Sequence, residues 1–416
     1  MPVSNYYFRI TALIAFALTL AASTSAETRW PRWRGPGGDG QSNETGLPVT
    51  WNATNIVWKT PLAGRGESSP VIWDEKLFVT TADDDGHQRS VLCLDRRDGK
   101  LLWEKSVEWA GTPEPLHKMN TWATPTCATD GEVLVAFFGR GGLHGYTLDG
   151  QPLWSNDLGP SANPWGSASS PVLVGDLVIQ NADADQDSFL AAFDKRTGKE
   201  AWRQSRPNRR GWSTPVLVSA GDRQELVLNG HEGVTAYDPA SGRQLWFCKS
   251  FNGRGEPTAT LAGGLLFMVN GLAGDVYAVR PGGEGDVTGS QMVWHTPRKS
   301  GRDLPSPIVV GDYLLVVSLA GVATCYHAAD GHELWQERLD GNFSASPIAA
   351  AGRVYFLSED GTVVVVEPDT TPKIVARNPL GAPAEEVFRA SLAPCDGKLY
   401  VRSDRAVYCV GTAAKP

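Results

Sequence analysis

Short apolar runs separated by turns that contain Gly or Asp repeat along most of the chain. In the first complete unit, Ser69-Pro70 leads into two apolar runs, and Asp95, Gly99 and Trp103 follow at fixed spacing. Apolar runs of this length, bounded by turn residues, are typical of β-strands. The pattern therefore predicts that each unit supplies four consecutive strands, which we name a to d.

The unit recurs eight times, at spacings of 40 to 55 residues. Six copies open with Ser-Pro or Thr-Pro, and two degenerate copies keep the turn and the second apolar run at the same offsets. The residues that open the eight units are Ser69, Thr124, Ser170, Thr214, Thr258, Ser306, Ser346 and Ser391. This period lies in the range of four-stranded propeller blades. We predict an all-β fold, an eight-bladed β-propeller of four-stranded antiparallel blades that spans residues 56–411.

The two ends of the repeat array complement each other. The eighth unit stops after its third strand near Val410, whereas a strand around Trp58 precedes the first unit. An unpaired strand edge would be exposed unless the two ends meet. We therefore expect the N-terminal strand to complete the last blade and close the ring.

Composition agrees with short strands and tight turns, since the 416 residues include 45 Gly, 28 Pro and 15 Trp but only 4 Met. A hydrophobic content of 41% is enough for a packed core. The net charge of −8 argues against binding of nucleic acid through a global basic field. Any site for an anion must therefore be local.

The N-terminal residues have the pattern of a secretory signal. An apolar run from Ile10 to Ala22 follows Arg9 and precedes small residues that end at Ala26. The run is too short to span a bilayer comfortably, and no Cys follows it for lipid attachment. We expect a signal peptide at 1–26, an extension at 27–55 and a tail at 412–416, and a monomeric periplasmic or secreted protein without a transmembrane span.

The six cysteines do not form a recognisable haem or zinc motif, because none are arranged as C-x-x-C. Cys93, Cys325 and Cys409 occupy the same register of three repeats. This periodicity favours small buried residues within strands.

The Ser/Thr-Pro opening and the Asp-x-x-x-Gly-x-x-x-Trp ending resemble the pyrrolo-quinoline-quinone-type propeller repeat. Quinoprotein dehydrogenases and the BamB outer-membrane assembly factors share this repeat, and the resemblance covers about residues 56–411. The segment from Trp30 to Trp51 also resembles exported BamB-like proteins typical of planctomycete bacteria. The resemblance implies a fold, but propellers host many unrelated activities.

The chain departs from both groups at residues that matter for function. The resemblance to the dehydrogenases would imply adjacent, disulfide-linked cysteines, calcium ligands and a catalytic Asp, and the chain has no adjacent cysteines. The resemblance to the assembly factors would imply a lipid-bearing Cys, which does not follow the signal. No cofactor is therefore expected, with the quinone and Ca²⁺ kept as the alternative.

Candidate ligand-binding residues lie just before the residues that open the blades, where loops of a propeller share one face. Arginine recurs four residues before the Ser or Thr that opens a unit, and aromatic and charged residues recur two residues before it. The candidate mouth consists of Arg65, Asn120, Trp122, Arg210, Trp212, Arg254, Glu256, Arg302 and Arg389. Converging guanidinium groups could bind carboxylates and stack a flat ligand. Alternatively, each arginine pairs with a carboxylate such as Glu67, Glu256 or Asp303.

Two further features lie on the same predicted face. His117 belongs to the longest loop between strong repeats, but no spacing assigns it a catalytic partner. Asp183, Asp185 and Asp187 have a spacing that could present three carboxylates to Ca²⁺, although Ser188 and Asp194 depart from the EF-hand pattern. A solvated acidic turn is the alternative interpretation.

Three functional hypotheses remain at this point. The first is an exported, non-catalytic, BamB-like binding or scaffold module of the cell envelope, with a protein partner or a small anionic ligand at the loop face. The second is a quinone-dependent alcohol or polyvinyl-alcohol-type dehydrogenase. The third is a carbohydrate-binding envelope protein, because Trp109 and Trp165, which we expect to be exposed, suit sugar stacking.

Overall fold

Eight small antiparallel sheets form an eight-bladed β-propeller, as the repeats predict. The computed structural model describes residues 1, 29–159, 163–249, 255–271, 275–297 and 301–411. The predicted signal peptide, the tail at 412–416 and Arg254 lie outside the described residues. Within them, no helix has the length and apolar character needed to cross a membrane.

The first half of the chain contains the N-terminal strands and blades 1 to 4. Its elements are β1 (Arg29–Trp30), β2 (Gln41–Ser42), a 3-10 helix (Ala53–Asn55), β3 (Ile56–Pro61), β4 (Val71–Trp73), β5 (Lys76–Ala82), β6 (Gln88–Asp95), β7 (Leu101–Glu108), β8 (Ala128–Thr129), β9 (Leu134–Phe137), a second 3-10 helix (Gly139–Gly141), β10 (Leu143–Tyr146), β11 (Pro152–Asn156), β12 (Val172–Val174), β13 (Leu177–Ala182), β14 (Phe189–Asp194), β15 (Glu200–Ser205), β16 (Val216–Ala220), β17 (Arg223–Asn229), β18 (Gly233–Tyr237) and β19 (Gln244–Lys249). Blade 1 is built from β4 to β7, blade 2 from β8 to β11, blade 3 from β12 to β15 and blade 4 from β16 to β19.

The second half contains blades 5 to 8. Its elements are β20 (Thr260–Ala262), β21 (Leu265–Val269), β22 (Val276–Val279), β23 (Gly285–Asp286), α1 (Thr288–Gln291), β24 (Met292–Thr296), β25 (Ile308–Val310), β26 (Tyr313–Val317), β27 (Val322–His327), β28 (Glu333–Arg338), β29 (Ile348–Ala350), β30 (Arg353–Leu357), β31 (Thr362–Val366), β32 (Ile374–Pro379), β33 (Ala393–Cys395), β34 (Lys398–Arg402) and β35 (Ala406–Val410). Blade 5 is built from β20, β21, β22 and β24, blade 6 from β25 to β28, and blade 7 from β29 to β32. The short strand β23 adds a fifth strand to blade 4.

The N-terminal strand closes the ring, as predicted. β3 is the outer strand of blade 8 and pairs antiparallel with β35, where Trp58 lies opposite Cys409. The Trp58 ring also packs near Tyr400, with ring centroids 6.0 Å apart. All four strands of the last blade are therefore present only when residues from both ends of the chain meet.

The periodic tryptophans join each blade to the next. Trp58 donates its indole N–H to the carbonyl of Arg96 in the following blade at 3.1 Å. Gly99 has φ +75°, and a Cβ there would lie 2.6 Å from the Trp58 ring, so only glycine fits this contact. The same donation joins five further pairs of consecutive blades, from Trp103, Trp154, Trp202, Trp294 and Trp335. The Gly and Trp of the repeat thus stabilise the boundaries between blades.

The N-terminal extension lies along the propeller axis. Trp30 of β1 pairs with Ile72 of blade 1, and Gln41 of β2 pairs with Ala349 of blade 7. Between them, the buried Arg34 donates to the Thr260 hydroxyl at 2.9 Å and to the Pro307 carbonyl at 2.7 Å, in blades 5 and 6. Only a segment on the axis can reach the innermost strands of opposite blades. The extension therefore fills one end of the central channel.

Glycines let the extension turn within this narrow space. Gly35 has φ +76°, and a Cβ there would lie 2.5 Å from the ring of Trp30. The carboxylate of Glu44 then accepts the backbone N–H groups of Asp396 and Gly397 in blade 8. Those two residues form a turn between the first two strands of that blade, so the extension closes the turn face of the ring.

All six cysteines are buried, and none is joined to another. Burial raises the pKa of the Cys127 thiol to about 12, which keeps it protonated and unreactive at neutral pH. The prediction of small buried strand residues is therefore confirmed for Cys93, Cys325 and Cys409, which lie within β6, β27 and β35.

Candidate functional site

A closed ring of hydrogen bonds surrounds the central channel. The backbone N–H of one residue in each blade donates to a hydroxyl oxygen of the next blade, over distances of 2.8 to 3.1 Å. The eight residues of this hydroxyl ring are Ser69, Thr126, Ser170, Thr214, Thr258, Ser306, Ser346 and Ser391. Every member is at most 7% exposed.

The ring corrects the predicted opening residue of one blade. The repeat pattern predicts Thr124 at this position in blade 2, but the ring hydroxyl belongs to Thr126, two residues further on. The register of blade 2 therefore differs from that of the other blades by two residues. All eight hydroxyls accept their ring bond from the preceding blade.

A second tier of side chains lies two residues before the hydroxyl ring. Alternate residues of an extended strand point to the same side, so both tiers face the channel. This second tier consists of Glu67, Thr124, Ala168, Trp212, Glu256, Leu304, Ser344 and Arg389, and all eight line one cavity. The two-residue shift in blade 2 explains why Thr124 lines it and Trp122 does not.

The axial cavity has a volume of about 200 Å³. Trp33 of the N-terminal extension contributes to its lining, together with His117, Asn120 and Trp165 from the loop face. Because the extension occupies the turn end of the channel, the cavity opens at the loop face. This blind cavity is the candidate functional site.

One side of the cavity carries a charged cluster. Arg389 contacts Glu67 and Glu359, each at 3.0 Å, and Arg302 lies 3.8 Å from Glu256. Burial raises the pKa of the Glu67 carboxyl, although the nearby Arg389 opposes this effect. The described lining therefore holds two arginines and two glutamates, and its charges balance.

The opposite side is aromatic. The rings of Trp165 and Trp212 stack with centroids 5.6 Å apart at an interplanar angle of 12°. His117 packs against Trp165 at 5.7 Å, and Asn120 donates to the Trp165 carbonyl at 2.7 Å. Burial, followed by the charges of Arg302, Lys118 and Arg389, lowers the pKa of His117. The imidazole is therefore neutral at pH 7.

The long loop that carries His117 is anchored by a buried ion pair. Arg89 makes two hydrogen bonds with Glu114, at 2.7 and 3.0 Å, and the side chains are 0% and 4% exposed. Trp122 donates its indole N–H to the Glu114 carbonyl at 3.0 Å. Trp122, a predicted mouth residue, thus supports the loop from behind the cavity wall.

The predicted arginines divide into two groups. Arg302 and Arg389 line the cavity, together with the predicted Asn120, Trp212 and Glu256. Arg65 and Arg210 do not line the cavity. Arg65 lies 3.1 Å from Asp404, and Arg210 donates to Asp185 at 3.0 Å while its guanidinium lies 4.8 Å from the Trp165 ring.

These two ion pairs have the same geometry. In both, the loop that leaves a blade is joined to the loop between the second and third strands of that same blade. These two arginines therefore hold loops in place. This agrees with the alternative interpretation, in which each arginine pairs with a carboxylate of the protein. Arg254 lies outside the described residues.

The acidic motif of blade 3 is largely occupied by arginines. Asp183 accepts two hydrogen bonds from the buried Arg206, at 2.6 and 3.0 Å, and Asp185 pairs with Arg210. Asp187 has φ +52° and lies at a separate surface depression. Among the described residues, no group of three or more His, Cys, Asp or Glu side chains could hold a metal ion. The geometry favours loop ion pairs over calcium ligation.

The sequence analysis missed Trp33 as a cavity residue. Its indole reaches the cavity only because the extension folds back into the channel, and no local periodicity indicates that contact. The two-residue spacing between the tiers is a feature of the sequence, and it predicts Thr124 in the lining when Thr126 is taken as the equivalent of Ser69.

The family of the chain follows from a comparison of sequences. The protein-family sequence model described as "Outer membrane protein assembly factor BamB" matches residues 43–185, 89–247, 186–280 and 272–374 of this chain. The chain therefore belongs to the BamB family of eight-bladed propellers. A BamB from Burkholderia pseudomallei is 22% identical over 365 residues, covering 75% of this chain and 87% of that protein.

Solved structures confirm the fold. BamB from Moraxella catarrhalis has a TM-score of 0.62 and 16% identity, covering 86% of this chain and 99% of that one. Quinohemoprotein alcohol dehydrogenase from Comamonas testosteroni has a TM-score of 0.67 and 11% identity, covering 95% and 82%. At these identities the likeness is one of fold alone.

The charge of the described cavity lining does not complement that of pyrrolo-quinoline quinone, the cofactor of the quinoprotein dehydrogenases. The cofactor is a tricarboxylate, whereas both lining arginines already contact carboxylates and the lining has no surplus positive charge. A desolvated anion without a matching cation is costly.

Proposed function

We propose that the protein is an exported, non-catalytic scaffold of the cell envelope that binds a protein partner at its loop face. The observation that carries this proposal is the difference between the two ends of the ring. The N-terminal extension fills the turn end of the channel, while the loop end keeps an open mouth with polar and aromatic walls.

A rigid ring with positioned loops is a suitable platform for recognition. The hydroxyl ring and the tryptophan contacts hold the blades together, and buried pairs such as Arg89 with Glu114 hold the loops on this platform. The relatives are named as assembly factors for outer membrane proteins. We extend that role to this chain, with its mature form beginning at Glu27 in the periplasm or outside the cell.

Complementation in cells that lack the chain tests the proposal. We expect the amount of outer membrane proteins to fall and the wild-type chain to restore it. Lys118→Glu with Asn342→Glu changes two exposed residues of the loop face, and Lys100→Glu with Ser241→Glu makes matched changes at exposed turns of the opposite face. The loop-face variant should fail to restore these proteins, and the turn-face variant should succeed. Equal restoration by both variants would contradict the proposal.

A further inference from the structure

We propose that the axial cavity binds one uncharged sugar ring. This inference goes beyond the scaffold role and does not depend on it, because a small ligand can occupy the cavity whether or not a protein binds around the mouth. Three properties of the lining support it: the hydroxyl donors, the aromatic faces and the balanced charge.

Six members of the hydroxyl ring line the cavity. They are Ser69, Thr126, Ser170, Thr214, Ser346 and Ser391. Each oxygen accepts one backbone N–H from the neighbouring blade, which leaves the hydroxyl proton to be donated. Within the described ranges, no protein acceptor is recorded for these six protons. Thr258 differs, because it donates to the Thr214 carbonyl at 3.3 Å and does not line the cavity.

Buried donors without protein acceptors in the described residues favour a ligand that supplies oxygen atoms. These six side chains belong to residues that are at most 7% exposed, and they border the cavity. A sugar carries hydroxyl and ring oxygens around its whole perimeter. Since the six donors are arranged around an axis, such a perimeter matches them better than the single polar end of an amino-acid side chain does.

Aromatic surface is present beside these donors. Trp212 uses one ring face to stack on Trp165 and donates its N–H to the Gly166 carbonyl at 2.9 Å. Its position in the lining leaves aromatic surface for a ligand, and Trp33 adds a second indole at the end of the channel that the extension fills. The C–H face of a pyranose is apolar and packs well on an aromatic ring. Trp33 and Trp212 would therefore contact the ring from different sides.

Charge and size favour a neutral monosaccharide unit. Arg302 and Arg389 are offset by Glu256 and Glu67, and His117 is neutral at pH 7. A cavity of about 200 Å³ has room for one six-membered sugar ring. Because the cavity opens at the loop face, the remainder of a glycan would lie at the mouth.

Binding of methyl glycosides to the mature chain tests the inference. Saturation-transfer NMR and calorimetry with methyl glycosides of neutral hexoses and N-acetylhexosamines should show saturable binding of at least one sugar. Trp212→Leu and Trp33→Leu should each weaken that binding at least tenfold. The matched control is Trp109→Leu, which changes a loop tryptophan outside the lining and should leave the affinity unchanged.

Several outcomes would overturn the inference. One is the absence of saturable binding of every glycoside by a wild-type protein that melts cooperatively. Equal affinity in the Trp212→Leu and Trp109→Leu variants is another, and preferential binding of N-acetyl-tryptophanamide, a mimic of a peptide side chain, is a third. Trp212→Tyr, which keeps an aromatic ring, should retain part of the affinity and guards against a folding defect in the leucine variant. None of these results bears on the complementation assay, so the two proposals fail independently.

Discussion

The backbone N–H of Ser391 donates to the hydroxyl of Ser69 at 2.9 Å, although 322 residues separate them. This bond completes the hydroxyl ring at the junction of blades 8 and 1. The same junction contains the pairing of β3 with β35. Closure of the propeller therefore involves its innermost and outermost strands together.

Loss of one ring hydroxyl should destabilise the protein measurably. Ser391→Ala removes the acceptor of the buried Ser346 N–H, now bonded at 3.1 Å. A buried donor left without a partner costs about 1–3 kcal/mol. Denaturant unfolding should show this loss, while Ser391→Thr, which keeps a hydroxyl, should lose less. Equal stability of the alanine and threonine variants would show that the ring bond contributes nothing.

The two arginines of blade 3 should differ sharply in their effect on stability. Arg206 and Asp183 have side chains only 5% and 4% exposed, and breaking such a buried pair costs about 3–5 kcal/mol. Arg210 and Asp185 are 30% and 37% exposed, and such pairs contribute below about 1 kcal/mol. Arg206→Met should therefore lower the melting temperature by several degrees and Arg210→Gln only slightly. Similar melting temperatures for both would refute this assignment.

His117 should titrate below the usual histidine pKa of about 6.5, because burial and then neighbouring cations disfavour its charged form. The unfolded chain thus binds this proton at higher pH than the folded chain. Stability should fall as the pH is lowered from about 6.5 towards the folded pKa. NMR titration of the imidazole C–H signals, with His117→Gln to assign them, measures this. A midpoint at or above 6.5 would contradict the described environment.

The charge balance of the cavity predicts poor binding of a quinone tricarboxylate. A spectroscopic titration with pyrrolo-quinoline quinone, with and without Ca²⁺, should show no saturable binding, and alcohols should not reduce a dye in its presence. Saturable binding with turnover would instead support the dehydrogenase hypothesis and would require cations that the described lining does not supply.

The sequence predicted the blades well because their contacts are periodic. Gly99 and Trp58 occupy positions fixed by the repeat, so the contact between them follows once the repeats are known to form a closed ring of blades. The pairing of Arg65 with Asp404 is different, since it joins residues 339 apart that belong to loops of no fixed length. Periodicity does not specify such contacts.

Blade 2 shows the limit of pattern matching within the repeat. Its Thr-Pro-Thr sequence contains two hydroxyl residues, and the Pro that follows the opening residue in five other blades points to Thr124. Thr126 forms the ring bond instead, because the N–H of Ser69 lies 2.8 Å from its oxygen. The contact of Trp33 with the cavity likewise depends on how the extension packs on opposite blades.

Site-specific photo-crosslinking in intact cells tests most directly whether the open mouth is the functional end of the molecule. A photoreactive residue would replace Lys118 on the loop face or, as the control, Asp98 at an exposed turn on the closed face. We predict a discrete cross-linked protein species from position 118 and none from position 98. A species that forms from position 98 alone, or equally from both positions, would contradict the account.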